Sequence, residues 1–373
     1  MTNNNHYDVI IVGGGPAGST AAYQLNKLGY EVLLLDKKEF PRRKLCGGLI
    51  TQKSLNILLN LFDLKLSDLK REGIIDYTAE LYKIYYKNNL ISTNKLENEF
   101  NLVKRIDYDN YLFNITKQSG VEALDGIKVT KLDFSSNTVT TEIGQKYTSN
   151  YIIGADGVNS TIRRHIINKI NADEIKFIKK DQALAIETEV PRKMISHNID
   201  SPILYFGILN WGYGWVFPKS NSITIGLGGL KNKNQDFKAI FDDFLEKLNL
   251  QNIPINKMGW HIPFGNFLKT PVYKDTFLVG DAANLVDPLT GEGIYYAHKS
   301  AQIAAEIIHK KEKYDIDHIK EYKKRINKEI NLKLKKTKIY RNLLWGTPEF
   351  LQNLFIRIGS KYFHRKITRM IQG

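Results

Sequence analysis

The chain of 373 residues contains a single cysteine. No internal disulfide can therefore form, which suits a reducing, cytosolic setting. No stretch reaches the about eighteen uninterrupted apolar residues of a membrane-spanning helix. The opening Met-Thr-Asn-Asn-Asn-His carries no basic segment ahead of an apolar run, which argues against a secretory signal. The eight histidines are scattered, and no Cys/His spacing of the zinc type occurs, so no metal site is expected. Zinc-finger and RNP signatures are missing too, which weighs against nucleic-acid binding despite a net charge of +15. What remains is a globular composition, 42% hydrophobic and 25% charged, rich in Tyr and Phe and long enough for two domains.

The organising stretch runs from Tyr7 to Lys37. Val9 to Val12 is a β-branched run typical of a buried parallel strand. Gly13, Gly15 and Gly18 follow as G-x-G-x-x-G, with Pro16 and Ala17 opening a helix over Ser19 to Leu28. A second strand, Glu31 to Leu35, ends at Asp36. Gly13 permits the tight turn, Gly15 lets the backbone approach a pyrophosphate, and Gly18 lets helix and strand pack closely. The helix start points free N–H groups at phosphate, and Asp36 is placed to accept hydrogen bonds from an adenosine ribose. A dinucleotide site is expected here.

Further along, the paired glycines of Lys44-Leu-Cys46-Gly47-Gly48 lie beside Arg42 and Arg43, as suits a loop wrapping an anionic or planar ligand. Ser54 to Leu69 reads as one helix with a core-facing leucine stripe. Asp76 to Thr93 alternates like a strand pair turning at Lys87 to Asn89, and Gly126 to Tyr147 reads as a meander. A helix introduced by Arg105 lies between them. A buried strand then runs into Gly154-Ala155-Asp156-Gly157, with a helix from near Ser160; Asp156 also suits a cap for that turn. Residues 181–230 form several strands with Tyr205, Phe206, Trp211 and Trp215, and a helix covers Phe237 to Leu248. A third strand end, at Gly280-Asp281, leads through Asp287-Pro288-Leu-Thr-Gly291-Glu-Gly293-Ile294 into a helix reaching Lys310.

Three strand ends with small residues and an acid, near residues 13, 154 and 280, resemble the flavoprotein monooxygenase and reductase superfamily typified by p-hydroxybenzoate hydroxylase. The resemblance covers about residues 6–310. It implies FAD, with Gly13 to Gly18 and Asp36 on the ADP half, Asp156 and Gly157 near the pyrophosphate, and Asp281 near the ribitol or pyrophosphate. It also implies a cofactor role for Arg105. Lys44-x-Cys46-Gly47-Gly48 and Tyr213-x-Trp215-x-Phe217-Pro218 look like the K-x-C-G-G and Y-x-W-x-F-P signatures of the geranylgeranyl reductase group, and 287–294 resembles its flavin-facing loop. The implied fold is α/β: a Rossmann-like FAD domain (1–75, 100–180, 270–310), an antiparallel β-rich substrate domain (76–99, 181–269) and a basic helical region (311–373).

The group saturates C=C bonds in isoprenoid chains, so the implied substrate is a prenyl chain on a lipid or quinone. NAD(P)H or a ferredoxin-like protein would supply electrons. Backbone N–H groups from Gly291 to Ile294 suit the negative charge of reduced flavin. Trp215 and Phe217 suit an apolar wall, Tyr213 is a candidate proton donor, and Cys46 is either near the flavin or a plain buried thiol. An FAD monooxygenase of an aromatic or polyketide-like ring remains the alternative, and a non-catalytic flavin module a third. From Lys310 onward, 18 Lys and Arg face 6 Asp and Glu. Beside the amphipathic Leu354, Phe355, Ile356 and Ile358, that balance suits either an anionic membrane surface or a tail packed on the FAD domain.

Overall fold

The computed structural model describes residues 5–357 except 171, 172, 174–177, 179, 196, 197, 235 and 255. Ile358, part of the expected amphipathic piece, lies outside the described residues. The chain divides into two compact units.

The first unit comprises Met1–Arg42, Ile106–Lys180 and Pro263–Thr337. Its sheet runs in the order Val272–Tyr273, Thr276–Leu278, Lys146–Gly154, His6–Val12, Val32–Leu35, Glu122–Leu124. His6–Val12 is parallel to both neighbours, Ile11 facing Leu34 on one side and Ile153 on the other. Thr276–Leu278 and Glu122–Leu124 join in parallel as well. Such strands are covered on both faces, so they read as continuous apolar runs. Val9, Ile10, Ile11 and Leu33 to Leu35 are accordingly buried without alternation. Helices Pro16–Lys27 and Ile294–Tyr314 pack together through small residues, Ala21 and Ala22 on one, Ala301, Ala304 and Ala305 on the other. His298 joins them, with Nδ1 2.6 Å from Thr20 Oγ1 and Nε2 2.7 Å from the Tyr108 hydroxyl.

The second unit comprises Arg43–Arg105, Asp181–Ile262 and Lys338–Gly373. Its sheet runs Met258–Pro263, Gln182–Pro191, Ser222–Leu230, Gly212–Pro218, Ile203–Phe206, Tyr77–Tyr86, Asn89–Leu102, Leu49–Ile50. The hairpins are antiparallel, as the alternation predicts, but Ile203–Phe206 runs parallel to Tyr77–Tyr86. Helix Phe237–Lys247 buries Phe237, Phe241 and Phe244 against Val216, Ile225 and Leu227 of the sheet.

The single helix expected over Ser54 to Leu69 is two. Gln52–Phe62 ends at Asp63, which adopts a left-handed conformation (φ +58°), and Leu66–Arg71 restarts with the Lys65 N–H bonded to Asp68. Residues 43–75 lie with the second unit, because Leu49 and Ile50 pair with Leu102 and Asn101 of its sheet. Residues 311–337 lie with the first, where the buried Tyr322 hydroxyl donates to the Leu278 carbonyl at 2.7 Å. From Lys338 the chain belongs to the second unit. Lys338 Nζ reaches Asp181 at 2.8 Å, and Arg341, 2% exposed, stands near the same carboxylate.

Candidate functional site

All parallel strands of the first sheet present their carboxyl ends along one edge, where α/β sheets bind ligands. Gly13 has φ +109°, and a Cβ there would come within 2.4 Å of the Ala155 carbonyl oxygen. A Cβ on Gly18 would lie 1.7 Å from the Gly13 carbonyl oxygen. Gly280 packs against Ala17, the gap from a built Cβ being 3.3 Å. The strand ends near residues 13, 154 and 280 therefore lie together. Gly15 is the N-cap of helix Pro16–Lys27 and supplies no side-chain cap, so the first-turn N–H groups remain for an outside anion.

Asp36 is buried at the end of its strand. Its Oδ2 accepts the Gly14 N–H at 2.7 Å and its Oδ1 accepts the Lys38 N–H at 2.9 Å. Arg42 Nε stands 3.7 Å from Asp36, while Arg42 Nη1 donates to the buried Asp109 at 3.1 Å. Lys37 is exposed. A cradle that any Cβ would fill, an uncapped helix N-terminus and a carboxylate beside them fit the dinucleotide half of FAD.

The second and third strand ends are tied together by Arg163, which the sequence reading missed. Its guanidinium donates to the carbonyls of Asp281 and Ala282 at 3.1 Å each, to Asn284 Oδ1 at 2.7 Å and to the Val158 carbonyl. Burial lowers its pKa, and the carboxylates of Asp156 and Asp281 oppose that shift. Asp156 itself caps helix Thr161–Ile170 through Oδ2, which accepts the Thr161 and Ile162 N–H groups, while burial raises its pKa. Gly157 follows at φ +77°.

In the loop before the helix Ile294–Tyr314, the Asp287 carboxylate accepts the Leu289 and Thr290 N–H groups around the buried Pro288. The Gly291 N–H donates to the Asp287 carbonyl at 2.9 Å and the Glu292 N–H to Thr290 Oγ1 at 3.3 Å. The outward-facing donors of this loop are thus narrowed to its end. There Gly293 forms an N-cap without a side-chain bond, ahead of Ile294.

The second unit gathers the other predicted residues. Tyr213, Trp215 and Phe217 alternate on one strand face, the Tyr213 and Trp215 rings 5.9 Å apart. Trp215 and Phe217 cluster with Leu102 and Ala185, and Leu45, Leu204 and Ile262 pack around them. Gly47 lies against Phe217, where a Cβ would come within 2.8 Å of the ring, and a Cβ on Gly226 would come within 2.4 Å of the Trp215 indole. The Cys46 Sγ accepts the Gly48 N–H at 3.4 Å. Lys44 places its ammonium 4.9 Å from the Trp260 ring centroid. Arg105 is half-buried at the start of helix Arg105–Gln118.

Two charged residues absent from the sequence reading stand inside this cluster. Glu187 is 6% exposed, and burial raises its carboxyl to about 7. Lys219, 2% exposed, is pushed down to about 8, again by burial. The alternation of Gln182–Pro191 held the clue to the first. Glu187 shares its strand face with Ala183 and Ala185, both buried, so a carboxyl stood on an apolar face.

Residues 6–179 match the family described as FAD binding domain. The chain is 31% identical over 313 residues to geranylgeranyl diphosphate reductase of Rhodobacter capsulatus, covering 80% of this chain and 74% of the relative. It is 28% identical over 315 residues to digeranylgeranylglycerophospholipid reductase of Methanococcus vannielii, covering 81% and 76%. In fold it resembles the crystal structure of a geranylgeranyl bacteriochlorophyll reductase-like protein from Thermoplasma acidophilum, with a TM-score of 0.78, 22% identity, and coverage of 94% and 90%. The chain belongs to the geranylgeranyl reductase family and is an FAD-dependent oxidoreductase.

Proposed function

We propose that this enzyme saturates C=C bonds of an isoprenoid chain carried on a lipid, quinone or related head group. The observation that carries this reading is the apolar face of the second unit, where Tyr213, Trp215 and Phe217 stand side by side among Leu45, Leu204 and Ile262. Aromatic faces suit a prenyl chain. In the first unit Gly13, Gly15, Pro16, Ala17, Gly18 and Asp36 would hold the ADP half of FAD. Asp156, Gly157, Gly280 and Asp281 would line the pyrophosphate and ribitol, with Gly293 and Ile294 donating to the flavin. Bound and reduced, FAD would supply hydride chemistry to this site, and a proton would have to come from the protein or water. Tyr213 is the candidate donor, with Cys46 and Trp215 shaping the slot.

The electron donor is proposed to be NAD(P)H or a ferredoxin-like protein, and the place of action the cytoplasmic face of a membrane. Ile339, Leu343, Phe350, Leu354 and Phe355 are all exposed in the basic C-terminal part, a pairing of apolar side chains with positive charge that suits an anionic bilayer. Among the described residues no helix is long and apolar enough to cross one.

The test is anaerobic. Enzyme bleached with dithionite, then freed of excess reductant, should regain its yellow colour when geranylgeranyl diphosphate or a geranylgeranylated lipid is added. Colour that returns only with oxygen, under every prenyl substrate tried, counts against the proposal.

A further inference from the structure

The two signature segments of the second unit are held together by charged groups that belong to neither glycine motif. Glu187 Oε1 accepts the Cys46 N–H at 3.2 Å, and its Oε2 accepts the Trp215 Nε1–H at 3.2 Å. From the other side, Lys219 Nζ donates to the Gly47 carbonyl at 2.8 Å and the Val103 carbonyl at 2.9 Å. The loop thus offers an N–H to a carboxyl and, one residue later, a carbonyl to an ammonium. It has little room to rearrange in this state. Gly48 sits at φ +79°, a Cβ there would lie 2.0 Å from the Val103 carbonyl oxygen, and Gly47 is pressed against Phe217.

We propose that Glu187 is a positioning residue: as the anion it clamps the Cys46–Gly48 loop to the Trp215 indole, and on taking up a proton it releases that grip. Both donors to Glu187 are neutral N–H groups, and such bonds are roughly twice as strong to a carboxylate as to a neutral acid. The charged or titratable groups facing Glu187 are Lys219 and Cys46 across from it and Glu189 on its own strand; Asp76 faces Lys219 from the far side. Burial opposes the anion most, with Glu189 adding to it, whereas the Cys46 and Trp215 N–H groups and Lys219 favour it. With the balance near 7, the clamp changes state across neutrality.

The chain's only cysteine makes the loop its own reporter. In the FAD-loaded full-length protein, alkylation of Cys46 by a neutral maleimide would be compared between wild type and E187Q across pH. A glutamine leaves one N–H donor facing an NH2 group. Above neutrality E187Q should therefore react about tenfold faster, the size expected for one charge-assisted bond. Below neutrality the two rates should converge. The second readout needs no change at Glu187: the Trp215 indole N–H resonance, assigned with W215F, should move with pH about a midpoint near 7. A pH-independent rate ratio, or an indole resonance that does not titrate in wild type, overturns the proposal. Neither measurement uses a prenyl substrate, so failure here leaves the reductase reading standing.

Discussion

The ammonium of Lys219 lies 2.8 Å from the carbonyl oxygen of Gly47, a residue 172 positions away in the chain, inside an apolar cluster. That bond and its companion to the buried Val103 give both backbone carbonyls a charged donor.

Replacing Lys219 with methionine keeps most of the volume but leaves both carbonyls without their donor. Stability should fall by about 2–4 kcal/mol, the cost of two buried unsatisfied acceptors less the relief of a desolvated ammonium. Denaturant unfolding of the FAD-loaded protein checks this. An unchanged midpoint would mean the two bonds contribute nothing net.

Glu187 gives stability an unusual pH dependence. Its folded pKa, about 7, exceeds the ordinary 4.5, so the folded state holds the proton more tightly. The contribution is complete below 4.5, declines as pH rises toward 7 and is gone above it. Lys219, lowered from 10.5 to about 8, acts in the opposite sense: stability from this group recovers between 8 and 10.5. Together they predict a trough between about 7 and 8. The difference in unfolding free energy between wild type and E187Q should fall by a few kcal/mol at most between pH 4.5 and 7, then stay flat. A difference that rises over that interval contradicts the assignment.

Asp36 holds the glycine loop through the Gly14 N–H and is proposed to meet the ribose of FAD. Asp36→Ala should weaken FAD retention by about 1.5–3 kcal/mol, as for loss of charge-assisted bonds. Asp36→Asn, which keeps one acceptor for Gly14, should fall between the two. Equilibrium dialysis with FAD reads the order directly, and equal retention by all three proteins would remove Asp36 from the cofactor site.

For the C-terminal part, the prediction is binding to anionic vesicles that weakens as salt is raised, since exposed lysines interact over about one Debye length. Replacing Phe350, Leu354 and Phe355 together by serine should abolish flotation with the vesicles. Recovery that is equal with neutral and anionic vesicles and insensitive to salt would argue against a membrane role.

Much of the first unit could be read from sequence because its demands fall on the backbone. Gly13, Gly18 and Gly280 stand where a side chain would strike a carbonyl or a neighbouring alanine, and such close approach admits little but glycine. The same holds for the continuous apolar strands, which announce burial on both faces. Glu187, Lys219 and Arg163 were not legible in the same way. Their partners are mostly backbone groups brought near by the fold, and nothing in residue type marks a carbonyl as an acceptor for a remote cation. The parallel pairing of Tyr77–Tyr86 with Ile203–Phe206 was hidden for a related reason, since no hairpin links the two. The break at Asp63 lay within an unbroken leucine periodicity, and only the left-handed turn shows it.

Hydrogenation of a prenyl chain is read from the mass of the product. Dithionite-reduced enzyme would be incubated with a geranylgeranyl substrate under nitrogen and the product measured by mass spectrometry, beside a parallel incubation in air. A gain of two hydrogens per saturated bond is expected without oxygen, and a slower gain of the same kind in Trp215→Ala, which loses apolar contact but should retain FAD. No product under nitrogen, with one carrying an added oxygen atom in air, would contradict it and assign the scaffold to monooxygenation.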